Sequence, residues 1–228
     1  MPYLSQRLEQ RSSGTGGGDP PRGALAASQR ERILAATERA VAEKGCAGAT
    51  IEGIVKLAGV STVTFYEHFA DKEECLLAAF DWALGETRVL LSEAAPTELP
   101  WPDQVREGLR TLLAAIDADP ARGRMCLVEA QMGGPALLAR YDAALDDAVA
   151  KLREGRSLAT APLPDSLEQA IAGGLAWLLR QQLELGGGGR SGGVGELYER
   201  MCEIALTPYL GAGEALPPAA AKAAASNG

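Results

Sequence analysis

The sequence is short of the residues that most catalytic and metal chemistry needs. It has one histidine, His68, in 228 residues, which excludes a histidine-rich metal cage and any mechanism needing two imidazoles. Its four cysteines, Cys46, Cys75, Cys126 and Cys202, stand 29, 51 and 76 residues apart, so neither a zinc knuckle nor a redox pair is spelled out. No stretch approaches the ~18 consecutive apolar residues of a membrane span. The amino-terminal MPYLSQRLEQRSSGTGGGDPPRG carries no apolar run of signal-peptide length. A reduced, cytoplasmic chain with buried thiols is the expectation. Aromatic residues make up only 5%, and strand-like alternation of Val, Ile, Thr and aromatics is missing, so the expected class is all-α. Positive charge is scarce too. With 22 Lys and Arg against 30 Asp and Glu, the net charge is −8, which argues against a neutraliser of phosphate or a membrane-surface binder. Any nucleic-acid site must therefore be local and geometric. No HExxH or GxxxxGK[ST] occurs, so no enzyme activity, cofactor or metal is expected. Gly187, Gly189 and Gly192 match the dinucleotide fingerprint by letter, but they follow a helix rather than a strand and read as a linker.

What is present is helical periodicity. Residues 1–27, rich in Gly, Ser, Pro and Arg, read as a disordered arm. From Ser28, a candidate cap, the positions Ile33, Leu34, Thr37, Ala40 and Val41 keep 3.6-residue spacing until Gly45 and Gly48. Thr50 caps a short helix stopped by Gly59, Ser61 caps the next, and Asp71 caps a longer one through about Glu93. Pro96, Pro100 and Pro102 mark a connector. Beyond it come Gln104–Ala118, a short helix around Arg122–Gln131, and a helix from Pro135 to about Glu154. Asp165–Leu185 and Gly195–Leu210 follow, divided by a glycine run. About nine helices are expected, followed by a flexible tail over residues 213–228.

The stretch TIEGIVKLAGVSTVTFYEHFADK, Thr50 to Lys72, places two short helices around the turn Ala58-Gly59-Val60-Ser61. Glycine tolerates a positive φ at such a turn, and serine starts the second helix. A helix-turn-helix of this form presents the front half of its second helix to a major groove. Thr62, Val63, Thr64 and Tyr66 are the exposed candidates there, with Val60, Phe65 and Phe69 turned inward.

The motifs AGVS, TFY-x-HF and the D-K-E entry to the fourth helix, within Gly45 to Glu73, closely resemble the tetracycline-repressor (TetR) family of transcriptional regulators, a resemblance covering about 50 of the 228 residues. The resemblance implies an amino-terminal helix-turn-helix domain, residues 28–75, and a helical ligand-binding and dimerisation domain, residues 76–212. It implies that Thr50, Ser61 and Thr62 offer hydroxyls and helix N-termini to phosphates. Val63 and Thr64 would meet base edges, a thymine methyl being the natural partner of Val63. Tyr66 and His68 would donate to phosphates, and Lys72 would clamp another. One departure stands out: Ser61–Phe69 holds no Lys or Arg, so bidentate readout of guanine by arginine is absent from this helix. Arg22, Arg30 and Arg32 are flanking cations that could take its place.

The same resemblance implies a homodimer on a near-palindromic double-stranded operator, with the last two helices forming the seam through Leu167, Ile171, Leu175, Leu178, Leu197, Met201 and Ile204. It further implies a small-molecule pocket lined by Trp101, Leu112, Ile116, Met125, Cys126, Glu129, Met132, Tyr141 and Trp177. The expected function is repression, relieved when a small hydrophobic effector shifts the fourth helix. The alternative is a DNA-binding dimer controlled by a protein partner.

Overall fold

Side chains reaching back to nearby amides start the helices that matter most. In the computed structural model, which describes residues 22–184 and 193–215, Thr50 Oγ1 accepts from Gly53 N at 3.1 Å. Ser61 Oγ accepts from Thr64 N at 3.0 Å and Asp71 Oδ1 from Glu74 N at 2.8 Å. Each satisfies an amide that the first turn of a helix leaves without a partner. The sequence places these three caps correctly. It misplaces the first. Helix α1 runs Arg22–Gly48, so it begins six residues before Ser28. Ala24, Leu25, Ala26 and Ala27 are good helix formers and carry the pattern backward through Ser28.

Helices α2 (Ile51–Ala58), α3 (Thr62–His68) and α4 (Lys72–Ala94) complete the amino-terminal block. Then come α5 (Trp101–Ala118), α6 (Pro120–Leu127), a 3-10 turn (Glu129–Gln131), α7 (Pro135–Arg153) and a second 3-10 turn (Glu154–Leu158). The chain closes with α8 (Leu167–Glu184), α9 (Gly193–Leu210) and a single turn, α10 (Ala212–Ala215). The described residues form ten α-helices and no strand. Helix α5 begins at Trp101, earlier than Gln104, because Pro102 fits its first turn, where no amide donor is needed.

Two apolar cores hold the helices. The first gathers Ile33, Leu34, Val41, Ile54, Phe65, Phe69, Leu76 and Phe80, and draws in Met125, Ala130 and Leu137 from α6, the 3-10 turn and α7. The second joins Leu109, Leu113 and Ile116 of α5 to Ile171, Leu175 and Leu178 of α8 and to Met201, Leu206 and Tyr209 of α9. A buried acid sits at the edge of the second core. Glu168 takes Arg156 Nε and Nη2 at 2.7 and 2.8 Å and the Tyr209 hydroxyl at 3.1 Å. Those donors, Arg156 first, hold its carboxyl below the usual range. The glycine run at 186–189 and most of the amino-terminal arm and carboxy-terminal tail lie outside the described residues.

Candidate nucleic-acid interface

The turn between α2 and α3 is built around Gly59, in the left-handed region at φ 64° and ψ 41°. Val60 N returns to Val55 O at 3.1 Å, closing the end of α2. Phe65 and Phe69, with ring centroids 5.6 Å apart, anchor α3 from beneath. Phe65 is fully buried and Phe69 nearly so, as the sequence expects. The opposite face of α3 is open. Val63 is 70% and Tyr66 55% exposed, and Thr50, Ser61 and Thr62 are exposed beside them. Thr64 and His68 are half-buried, and the Thr64 hydroxyl lies 3.0 Å from Ser61 Oγ. Seven of the eight residues expected at DNA thus lie at the caps of α2 and α3 or along α3 itself.

Lys72 differs. Its ammonium donates to Cys46 O at 3.1 Å, Ala47 O at 3.5 Å and Ala49 O at 3.0 Å. An ammonium has three protons, and all three are engaged by the end of α1. Sequence spacing shows Lys72 at the start of α4 but not that the last carbonyls of α1 converge there. Of the flanking cations, Arg30 lies over the Phe69 ring at 5.3 Å, and Arg39 donates to Leu57 O at 3.4 Å.

Residues 33–79 match the family model for bacterial regulatory proteins, tetR family. In this segment the chain is similar to that family. An uncharacterised helix-turn-helix transcriptional regulator of Bacillus subtilis, YerO, is 40% identical over 57 residues, which cover 25% of this chain and 20% of YerO. The chain therefore spans about a fifth of that relative's length. The fold extends further. FadR of Bacillus subtilis, solved with stearoyl-CoA, superposes with a TM-score of 0.65 at 17% identity, over 79% of this chain and 98% of that one. AibR, solved with isovaleryl coenzyme A and operator DNA, does so with a TM-score of 0.63 at 15% identity, over 76% and 95%. At these identities the likeness is one of fold.

The nine residues expected to line a pocket are distributed over both cores and the surface. Trp101 packs on Tyr209 in the second core, with its indole N–H on Lys151 O at 2.8 Å. Ile116 is buried in the same core with Leu112 against it, while Met125 is buried in the first core. Cys126 packs against that first core, where burial pushes its thiol up to about 12. Met132 stands 79% exposed, and Glu129 is bonded to Cys46 of α1. Tyr141 and Trp177 share a cleft of about 240 Å³ with Gln131, Gly173, Ala176 and Arg180. Spacing along helices identifies apolar positions but not which of the two cores receives them.

The expected dimer seam needs a similar correction. Ile171, Leu175, Leu178 and Met201 are buried in the chain's own second core, where α8 packs on α6, α7 and α9, and α9 packs on α5. Leu167 and Leu197 are half-buried, and Ile204 is 39% exposed. The outward face of α8 instead carries Gly173 and Trp177, the latter 47% exposed. Sequence reasoning also missed Glu38, which is buried on α1 against Arg122 of α6 at 3.2 Å. It follows Leu34 by four residues and precedes Val41 by three, so the apolar stripe itself marks the position.

Proposed function

We propose that the chain is a homodimeric transcriptional regulator that represses by occupying a near-palindromic operator and leaves it when a small hydrophobic effector binds. The observation that carries the reading is the outward face of α3. A valine 70% exposed and a tyrosine 55% exposed stand on a helix capped at its start and bolted to a phenylalanine core. Burial cannot explain them there, and contact with base edges and backbone can. Val63 and Thr64 read bases, Val63 against a thymine methyl. Thr50, Ser61 and Thr62 present hydroxyls and helix N-termini to phosphates, and Tyr66 and His68 add donors. Lys72 serves the surface from behind, by fixing the end of α1 next to Thr50. Residues 28–75 form the DNA-binding domain and residues 76–212 the regulatory and dimerisation domain.

The dimer seam is the outer face of α8 and α9, with Gly173, Trp177 and Ile204 at its surface and the buried leucines supporting it from within. Two-fold symmetry then sets two copies of α3 on successive major-groove faces. Two similar structures hold acyl-coenzyme A esters, which makes that class the first to try as effector. Control by a protein partner is the second reading: the cleft seen among the described residues is smaller than the roughly 300–1,000 Å³ of most small-molecule sites. Binding-site selection with the purified chain tests the DNA reading and returns an inverted repeat. Failure to enrich any site refutes it. Titrating acyl-coenzyme A esters against the recovered DNA then separates the two modes of control.

A further inference from the structure

The first helix does not end smoothly. Gly45 breaks it at φ 72° and ψ 167°, and the chain makes one more turn, to Ala49, before Thr50 starts α2. A break of this kind strands the amide that follows it, since no carbonyl one turn back is aligned to receive it. Here that amide is satisfied from far along the sequence. Cys46 N donates to Glu129 Oε2 at 3.0 Å, and the Cys46 thiol lies 3.6 Å from Glu129 O. The Glu129 side chain is only 12% exposed, with Arg124 Nε at 3.9 Å from its other oxygen. The fit around it is close. A Cβ on Gly45 would stand 3.1 Å from Glu129 Oε2, and one on Gly133 would stand 3.1 Å from Cys46 Sγ.

The other side of the same turn is held by Lys72, through the carbonyls of Cys46, Ala47 and Ala49. One turn of chain is thus gripped on its amide side by the regulatory block and on its carbonyl side by α4. Its next residue is Thr50, whose cap sets the direction of α2 and hence of α3. The 3-10 turn that carries Glu129 ends on Gln131, a wall of the Tyr141–Trp177 cleft.

We infer that Glu129 is a positioning residue for DNA binding, holding the Gly45–Ala49 turn so that Thr50, α2 and α3 keep the spacing the operator requires. This rests on the DNA-binding reading above. It places the link between cleft and DNA on α1, through a carboxylate–amide bond, in addition to any movement of α4. Because coupling between sites is reciprocal, operator binding must also tighten the Cys46 amide.

The test uses the full chain and the DNA recovered by site selection with it. Glu129→Ala is expected to weaken operator binding at least about tenfold while its helix content and melting remain those of a folded protein, a difference of about 1.4 kcal/mol. Glu129→Gln, which keeps an acceptor oxygen, stays within about threefold of the parent. A loss of stability alone would not change affinity while nearly all the protein is folded. By hydrogen exchange, Glu129→Ala speeds the Cys46 amide, and operator binding slows it in the parent chain. A folded Glu129→Ala that binds within twofold of the parent overturns the inference. Should that variant fail to fold, unchanged Cys46 exchange on adding operator to the parent overturns it equally. If the parent enriches no DNA site, the DNA-binding reading falls instead, which the selection step shows before any variant is made.

Discussion

Glu38 illustrates how much one buried side chain can impose on this protein. It is 3% exposed, and burial outweighs Arg122, raising its carboxyl from an ordinary 4.5 to about 7. Asp119 and Glu86 add smaller pushes in the same direction. Because the folded chain binds this proton more tightly than the unfolded chain, its contribution is fully present below pH ~4.5 and is lost as pH rises through about 7. At 1.4 kcal/mol per unit, the ceiling is roughly 3 kcal/mol. Urea unfolding between pH 5 and 8 checks this. The stability of the parent minus that of Glu38→Gln should fall as pH rises across that window, and a flat difference would show that Arg122 holds the acid ionised throughout. Arg122 also lies 4.9 Å over the Trp82 ring, a contact that does not depend on the charge of Glu38.

At the level of elements, what could be read from the sequence was what is local. Thr50, Ser61 and Asp71 announce helices because each bonds an amide three residues ahead, and three residues of spacing are visible in a string of letters. Gly59 is visible for the same reason. The bond from Glu129 to Cys46 spans 83 residues between two polar-compatible positions and leaves no periodic trace. Core membership is non-local in the same way: by spacing Trp101 and Met125 look alike, and the fold sends them to different cores. Helix α8 offers a clean test of its proposed outward role. A Cβ on Gly173 or Gly174 would meet nothing within 4 Å among the described residues, and glycine within a helix costs about 1 kcal/mol against alanine. Gly173→Ala with Gly174→Ala should therefore stabilise the monomer by up to about 2 kcal/mol in dilute thermal melts, while sedimentation equilibrium shows a weaker dimer. Dimerisation as strong as the parent's would move the seam off this face.

Across the whole molecule, the acidity divides unevenly. Residues 28–75 carry 6 cations and 8 anions, and residues 76–228 carry 13 and 20, so most of the excess lies away from α3. Several of the amino-terminal cations are already in use: Lys72 on carbonyls, Arg30 on Phe69 and Arg39 on Leu57. What α3 has left for DNA is shape, hydroxyls and two exposed apolar side chains. On the proposed reading, its specificity rests on contacts such as Val63 to a thymine methyl more than on attraction to the backbone. Site selection repeated with Val63→Ala measures this most directly. The account predicts the same inverted repeat with the thymine preference lost at one position in each half-site, by roughly 1 kcal/mol, the lower end of what a base pair carries. An unchanged base preference at every position, or one changed in a single half-site only, would contradict it.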